Sequence, residues 1–133
     1  LTHVVTRITG QKEDDDWLAE GLAEFYAVEL LYRSGGMTDE RHQRTIDWLK
    51  DWGKNIKTLR VDRSSGEITA RAATLVYAID QEIRRKTNQA KNLDDVTRRL
   101  MRERKVSTQE FIDACEKVAG GPLTSLKTPL LKP

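Results

Sequence analysis

Hydrophobic positions recur along most of this chain at helical spacing, and almost none alternate as in a half-buried strand. From Trp17 to Ser34 the chain is apolar almost all round, with Leu18, Leu22, Phe25, Tyr26, Val28, Leu30 and Leu31. That pattern predicts a helix in the middle of a protein, ended by Gly35-Gly36. Thr38 is placed to cap a helix from Asp39 to about Lys57. Its inner stripe is Ile46, Leu49, Gly53 and Ile56, flanked by Trp48 and Trp52. Ala72, Leu75, Val76, Ile79 and Ile83 predict a helix over Glu67 to Lys86, and Leu93, Val96, Leu100 and Met101 another over Leu93 to Arg104. Ser107 and Glu110 have capping-box spacing for a helix over Thr108 to Ala119, which Gly120-Gly121-Pro122 stops. Leu1 to Thr9 reads as the end of a preceding helix, with Gly10 as its left-handed stop. Only Leu59 to Val61 has an extended flavour, and the tail from Leu123 is expected to form one short turn and then fray. The predicted class is all-α, a bundle of about five to six helices over residues 1–126, with a tail at 127–133.

Composition narrows the possibilities without changing the fold. At 133 residues, with 38% hydrophobic and 33% charged, the chain suits one domain with a single core rather than a disordered segment. No apolar run approaches the roughly 18 residues that span a bilayer, so no membrane insertion is expected from this segment. The first ten residues lack a signal-peptide pattern. A formal net charge of +2 is too small to point to a partner. Cys115 is the only cysteine, which excludes a disulfide framework, and its apolar helical position reads as a core thiol.

The central helix holds an anomaly. Glu20 and Glu24 stand four positions apart, so two like charges share one face among mostly apolar neighbours. If that face is the solvent-exposed edge of the helix, nothing follows. If it is buried, something positive must face the pair: a metal ion, a histidine or an arginine. His3 lies seventeen positions before Glu20. A zinc helix of the form His-Glu-x-x-His carries two imidazoles one turn apart with a general-base glutamate between. With His-Glu in front of Leu1, the motif would read His-Glu-Leu-Thr-His, and His3 would be its second ligand.

The stretch from Trp17 to Tyr26, Trp-Leu-Ala-Glu-Gly-Leu-Ala-Glu-Phe-Tyr, resembles the third-ligand helix of gluzincin zinc metallopeptidases, a group that includes the aminopeptidase N and glycyl aminopeptidase families. The stretch Ala72 to Lys86, then Leu93-Asp94-Asp95-Val96, then Ser107 to Gly120, is similar to the helical C-terminal region of the glycyl aminopeptidases. The resemblance covers residues 1–126 and implies a chain that begins inside the metal-binding motif. It implies His3 and Glu20 as zinc ligands, an upstream histidine as a third, and an upstream glutamate before Leu1 as general base. It assigns Glu24 to orienting a zinc-bound imidazole. The partners implied are a peptide or protein substrate and the upstream part of the same polypeptide. The isolated chain is then expected to be inactive and to bind zinc weakly or not at all.

One departure stands against an efficient aminopeptidase. Both families often carry a Tyr-x-Lys-Gly-like motif whose tyrosine hydrogen-bonds the oxyanion, whereas Thr69, Ala70, Arg71 and Ala72 stand there in this chain, and Tyr77 is expected in the core. A degenerate, non-catalytic module of the same ancestry therefore stays open. So does an unrelated helical interaction or nucleic-acid-binding domain, because Arg84 to Lys105 holds nine basic residues against three acids. No aromatic interrupts that stretch, so it reads as a solvated face and no nucleic acid is expected. Trp48 and Trp52 read as core or edge packing, with the lining of a substrate cleft as the alternative, and His42 as an exposed polar residue.

Overall fold

The computed structural model describes residues 7–64 and 66–133. Among these residues it is an all-α bundle of five helices: α1 (Asp16–Arg33), α2 (Asp39–Trp52), α3 (Glu67–Lys86), α4 (Leu93–Leu100) and α5 (Thr108–Ala119). No helix of the described residues is long and apolar enough to cross a membrane.

Helix α1 is the axis. Trp17, Leu18, Leu22 and Phe25 are shut off from solvent, as its apolar circumference predicts. Its C-terminal turn is different: Leu30 and Leu31 are exposed. Helix α3 lies parallel to α1. Gly21 faces Ala72, and the Phe25 and Tyr77 rings meet at 4.6 Å. Gly21 is needed there, because a β-carbon would sit 2.9 Å from the Ala72 Cβ. Helix α2 runs back along α3, with Gly53 at the level of Arg71 and His42 at the level of Tyr77.

Two helices are shorter than their patterns predict. α2 ends at Trp52 rather than near Lys57. Gly53 packs directly on the Arg71 backbone, and Arg71 Nη1 donates to the carbonyls of Gly53 and Lys54, so these acceptors leave the helical ladder. α4 ends at Leu100, not Arg104. Arg104 takes a left-handed φ of 64°, and Lys105–Val106 pairs in parallel with Thr9–Gly10, Thr9 opposite Lys105 and Gly10 opposite Val106. This two-residue ladder is the only sheet among the described residues, and its two strands lie almost a hundred positions apart in the chain. Residues 1–6 of the expected helix end lie outside the described residues; its last part is corrected, because Thr9 and Gly10 are extended and the left-handed residue is Arg7, with φ 56°, not Gly10. Leu59 is not in a strand, although its N–H donates to the Leu130 carbonyl.

The caps agree with the sequence. Thr38 accepts from the Arg41 N–H, Ser107 and Glu110 close a reciprocal capping box, and Gly120 is left-handed. Asn92 and Asp95 form a second box, and Asp80 reaches from α3 to accept from the Leu93 N–H at 2.9 Å. The tail does not fray. Two 3-10 turns, Thr124–Leu126 and Pro129–Leu131, put Leu126, Leu130 and Leu131 into the core. The buried carboxylate of Glu82 accepts from the Thr124 and Ser125 N–H groups, each at 2.7 Å, and so anchors the first turn by its N-terminus.

Candidate metal centre

The N-terminus of α1 is held by three consecutive aspartates that reach three different parts of the chain. Asp14 accepts two bonds from Arg60, and Asp16 accepts from the Ser64 N–H at 2.8 Å. Asp15, 1% exposed, accepts from both the N–H and the hydroxyl of Thr108. Burial works to raise the Asp15 carboxyl. Bonds from the Thr108 hydroxyl and N–H and from the Lys12 N–H, with the charge of Arg60, outweigh it and hold the group below the ordinary carboxylate range. Trp17 closes the arrangement by donating its indole N–H to the Thr108 hydroxyl at 3.0 Å. Together these bonds set the rotation of α1 about its own axis, and so the direction in which Glu20 and Glu24 project.

Both glutamates are half-buried, so the face they share is not a plain solvent edge. Glu20 precedes Gly21, where α1 and α3 touch through Ala72. Glu24 lies one turn further on and forms no hydrogen bond or ion pair with another described residue. Its charge reaches Tyr77, whose phenol is pushed far above the ordinary range, first by burial and then by Glu29, Asp80 and Glu24. The Tyr77 hydroxyl is buried with no hydrogen-bond partner among the described residues, and its ring packs on Phe25 as expected. A second buried hydroxyl without such a partner, Ser64 Oγ, lies beside the start of α1.

His3 lies outside the described residues. Among the described residues, no group of three or more His, Cys, Asp or Glu side chains could hold a metal ion. Any zinc site that used Glu20 would need its other ligands from outside the described residues. A half-buried carboxylate on a rigid central helix is a suitable donor for such an ion.

Sequence reasoning missed one constellation. His42 is half-buried rather than exposed: its Nε2 donates to Glu29 Oε2 at 2.9 Å, and its ring stacks on Tyr32 at 3.9 Å. Glu29 and His42 meet because the Gly35-Gly36 turn folds α2 back over the end of α1, and no local spacing signals that. Tyr32 donates to Asp39 at 2.6 Å across the same turn. On the other side of α1, Tyr26 and Arg33 both donate to Asp94. Trp48 and Trp52 pack on each other at 4.9 Å, 57% and 43% exposed. Compared with known proteins, the chain matches no family model, no curated protein and no solved structure.

Proposed function

We propose that this chain is the helical C-terminal part of a gluzincin-type zinc metallopeptidase. In this proposal Glu20 and His3 are two of the zinc ligands, and a histidine upstream of Leu1 is the third. The observation that carries it is the half-burial of Glu20 and Glu24 on the central helix, within the Trp-Leu-Ala-Glu-Gly stretch. Two like charges one turn apart on a half-buried helix face are eased by positive charge nearby. A zinc ion bound there supplies a Lewis acid for the scissile carbonyl and water of lowered pKa. The chain's own residues do the positioning: the aspartate run fixes the rotation of α1, Gly21 seats it against α3, and Glu24 accepts an N–H from a ligating imidazole. In this reading the general base is a glutamate supplied upstream of Leu1.

A degenerate, non-catalytic module is the second reading. It is favoured by Thr69 and Ala72 at the start of α3, where the resemblance places a tyrosine and a glycine. Metal analysis and peptidase assays of the longer parent, with Glu20→Gln, separate the two. The first reading expects one zinc per chain and activity, both lost or reduced at least about tenfold in the variant. Parent protein without zinc, and unaffected by Glu20→Gln, would discard it.

A further inference from the structure

A recess of the described surface along the α2–α3 seam belongs to neither the carboxylate face nor the Glu29–His42 pair. Two clefts of about 320 and 280 Å³ adjoin along the α2–α3 seam. They share Lys50, Thr74 and Ala78, which makes them one elongated groove. At one end stand the side-chain amides of Gln43 and Gln81. At the other, Arg71 faces the C-terminal segment through Ser125 and Thr128. The lining holds two cations and no carboxylate.

The acids beside Lys50 in the sequence of α2, Asp47 and Asp51, stand outside the lining. Asp47 accepts from Gln43, and Asp51 pairs with Lys54, each at 3.0 Å. Among the described residues neither Lys50 nor Arg71 has a carboxylate partner, and Arg71 commits only Nη1 to the Gly53 and Lys54 carbonyls at the end of α2, at 3.4 and 3.3 Å. A groove walled by Ile46, Leu75 and Leu130, with two cations and several amide and hydroxyl groups in its lining, complements an extended chain that carries carboxylates between apolar residues. It offers little to a nucleic acid. Tyr77 is 4% exposed, and the exposed rings Trp48 and Trp52 are outside the lining, so no aromatic face is available for base stacking.

We infer that the α2–α3 groove binds an acidic peptide segment in extended form, with Lys50 and Arg71 pairing its carboxylates. Binding there needs neither a metal nor Glu20. The test is fluorescence anisotropy of the 133-residue chain, in chelator, with labelled peptides of equal length that are glutamate-rich, neutral or lysine-rich, and with a single-stranded oligonucleotide. The glutamate-rich peptide is expected to bind and to weaken with salt, the other probes not. Lys50→Glu should cost at least about tenfold in affinity, and Lys50→Arg little. Lys50 is exposed, so its replacement leaves the core intact, and circular dichroism checks this. Equal binding of the neutral peptide, tighter binding of the oligonucleotide, no binding of the glutamate-rich peptide, or indifference to Lys50→Glu would each overturn the inference. Because chelator is present throughout, the outcome is independent of whether the parent holds zinc.

Discussion

One oxygen of Asp15 receives both the backbone N–H and the hydroxyl of Thr108, at 3.0 and 2.6 Å, across 93 positions of sequence. The bond joins the N-terminus of α1 to the first residue of α5 in a site closed to water. Removing the carboxylate strands two buried donors, and each loses a charge-assisted partner. Asp15→Ala is therefore expected to destabilise the chain by about 2–4 kcal/mol, and Asp15→Asn by less. Urea unfolding followed by circular dichroism measures both, and a loss within a few tenths of a kcal/mol for Asp15→Ala would contradict the role assigned here.

Acid should weaken the fold through a small set of carboxylates. Asp15, Glu82 and Asp94 all ionise below their ordinary values of 3.8, 4.5 and 3.8. In each case burial alone would raise the group, and hydrogen bonds win. Thr108 supplies them to Asp15, the Thr124 and Ser125 turn to Glu82, and Tyr26 and Arg33 to Asp94. A carboxyl with a depressed folded-state pKa stabilises fully above its unfolded value, and that stabilisation is lost as pH falls through the folded one. Stability should then be flat above about pH 5 and decline below about pH 4. Thermal melts of Asp15→Asn should show a shallower decline than the parent chain. Identical slopes would remove Asp15 from the set.

Gly21 gives a test of opposite sign to helix propensity. In an exposed helix interior, alanine in place of glycine stabilises by roughly 1 kcal/mol. At position 21 the new methyl meets the Ala72 Cβ at 2.9 Å and the Ala72 backbone at 3.3 and 3.4 Å. α1 and α3 must then move apart, at a cost of about 1–3 kcal/mol. Gly21→Ala is expected to lower the melting temperature, and Gly21→Val to lower it further. A stabilised Gly21→Ala variant would mean that the helices are less closely packed than described.

Cys115 should be chemically silent in the folded chain. Its thiol is fully buried on α5, and burial, with the nearby charge of Glu116, pushes its ionisation far above the usual range. Labelling with a thiol-reactive disulfide should be slow under native conditions and fast in denaturant. Rapid native labelling would show that α5 opens easily.

What could be read from the sequence is what depends on neighbours a few residues apart. The helical stretches of α1, α3 and α5, the Thr38 and Ser107 caps and the left-handed Gly120 are all local, because helix hydrogen bonds and capping close within four positions. The pairing of Glu20 with Glu24 on one face follows from the same periodicity.

Tertiary structure decided what depends on distant partners. Arg71 shortens α2, and pairing with Thr9–Gly10 draws Lys105–Val106 out of helix. Three aspartates at a helix start favour the helix dipole wherever they point, but only the folded chain brings them to Arg60, Ser64 and Thr108. His42 reads as a surface residue until the Gly35-Gly36 turn lays it on Glu29. The tail is ordered because Glu82, on α3, presents a carboxylate to its first turn and the core receives Leu126, Leu130 and Leu131. The α2–α3 groove exists only once α2 and the C-terminal segment have docked on α3. A helix forms from its own backbone, but which polar groups it buries, and against what, is settled only when another element arrives to exclude the water.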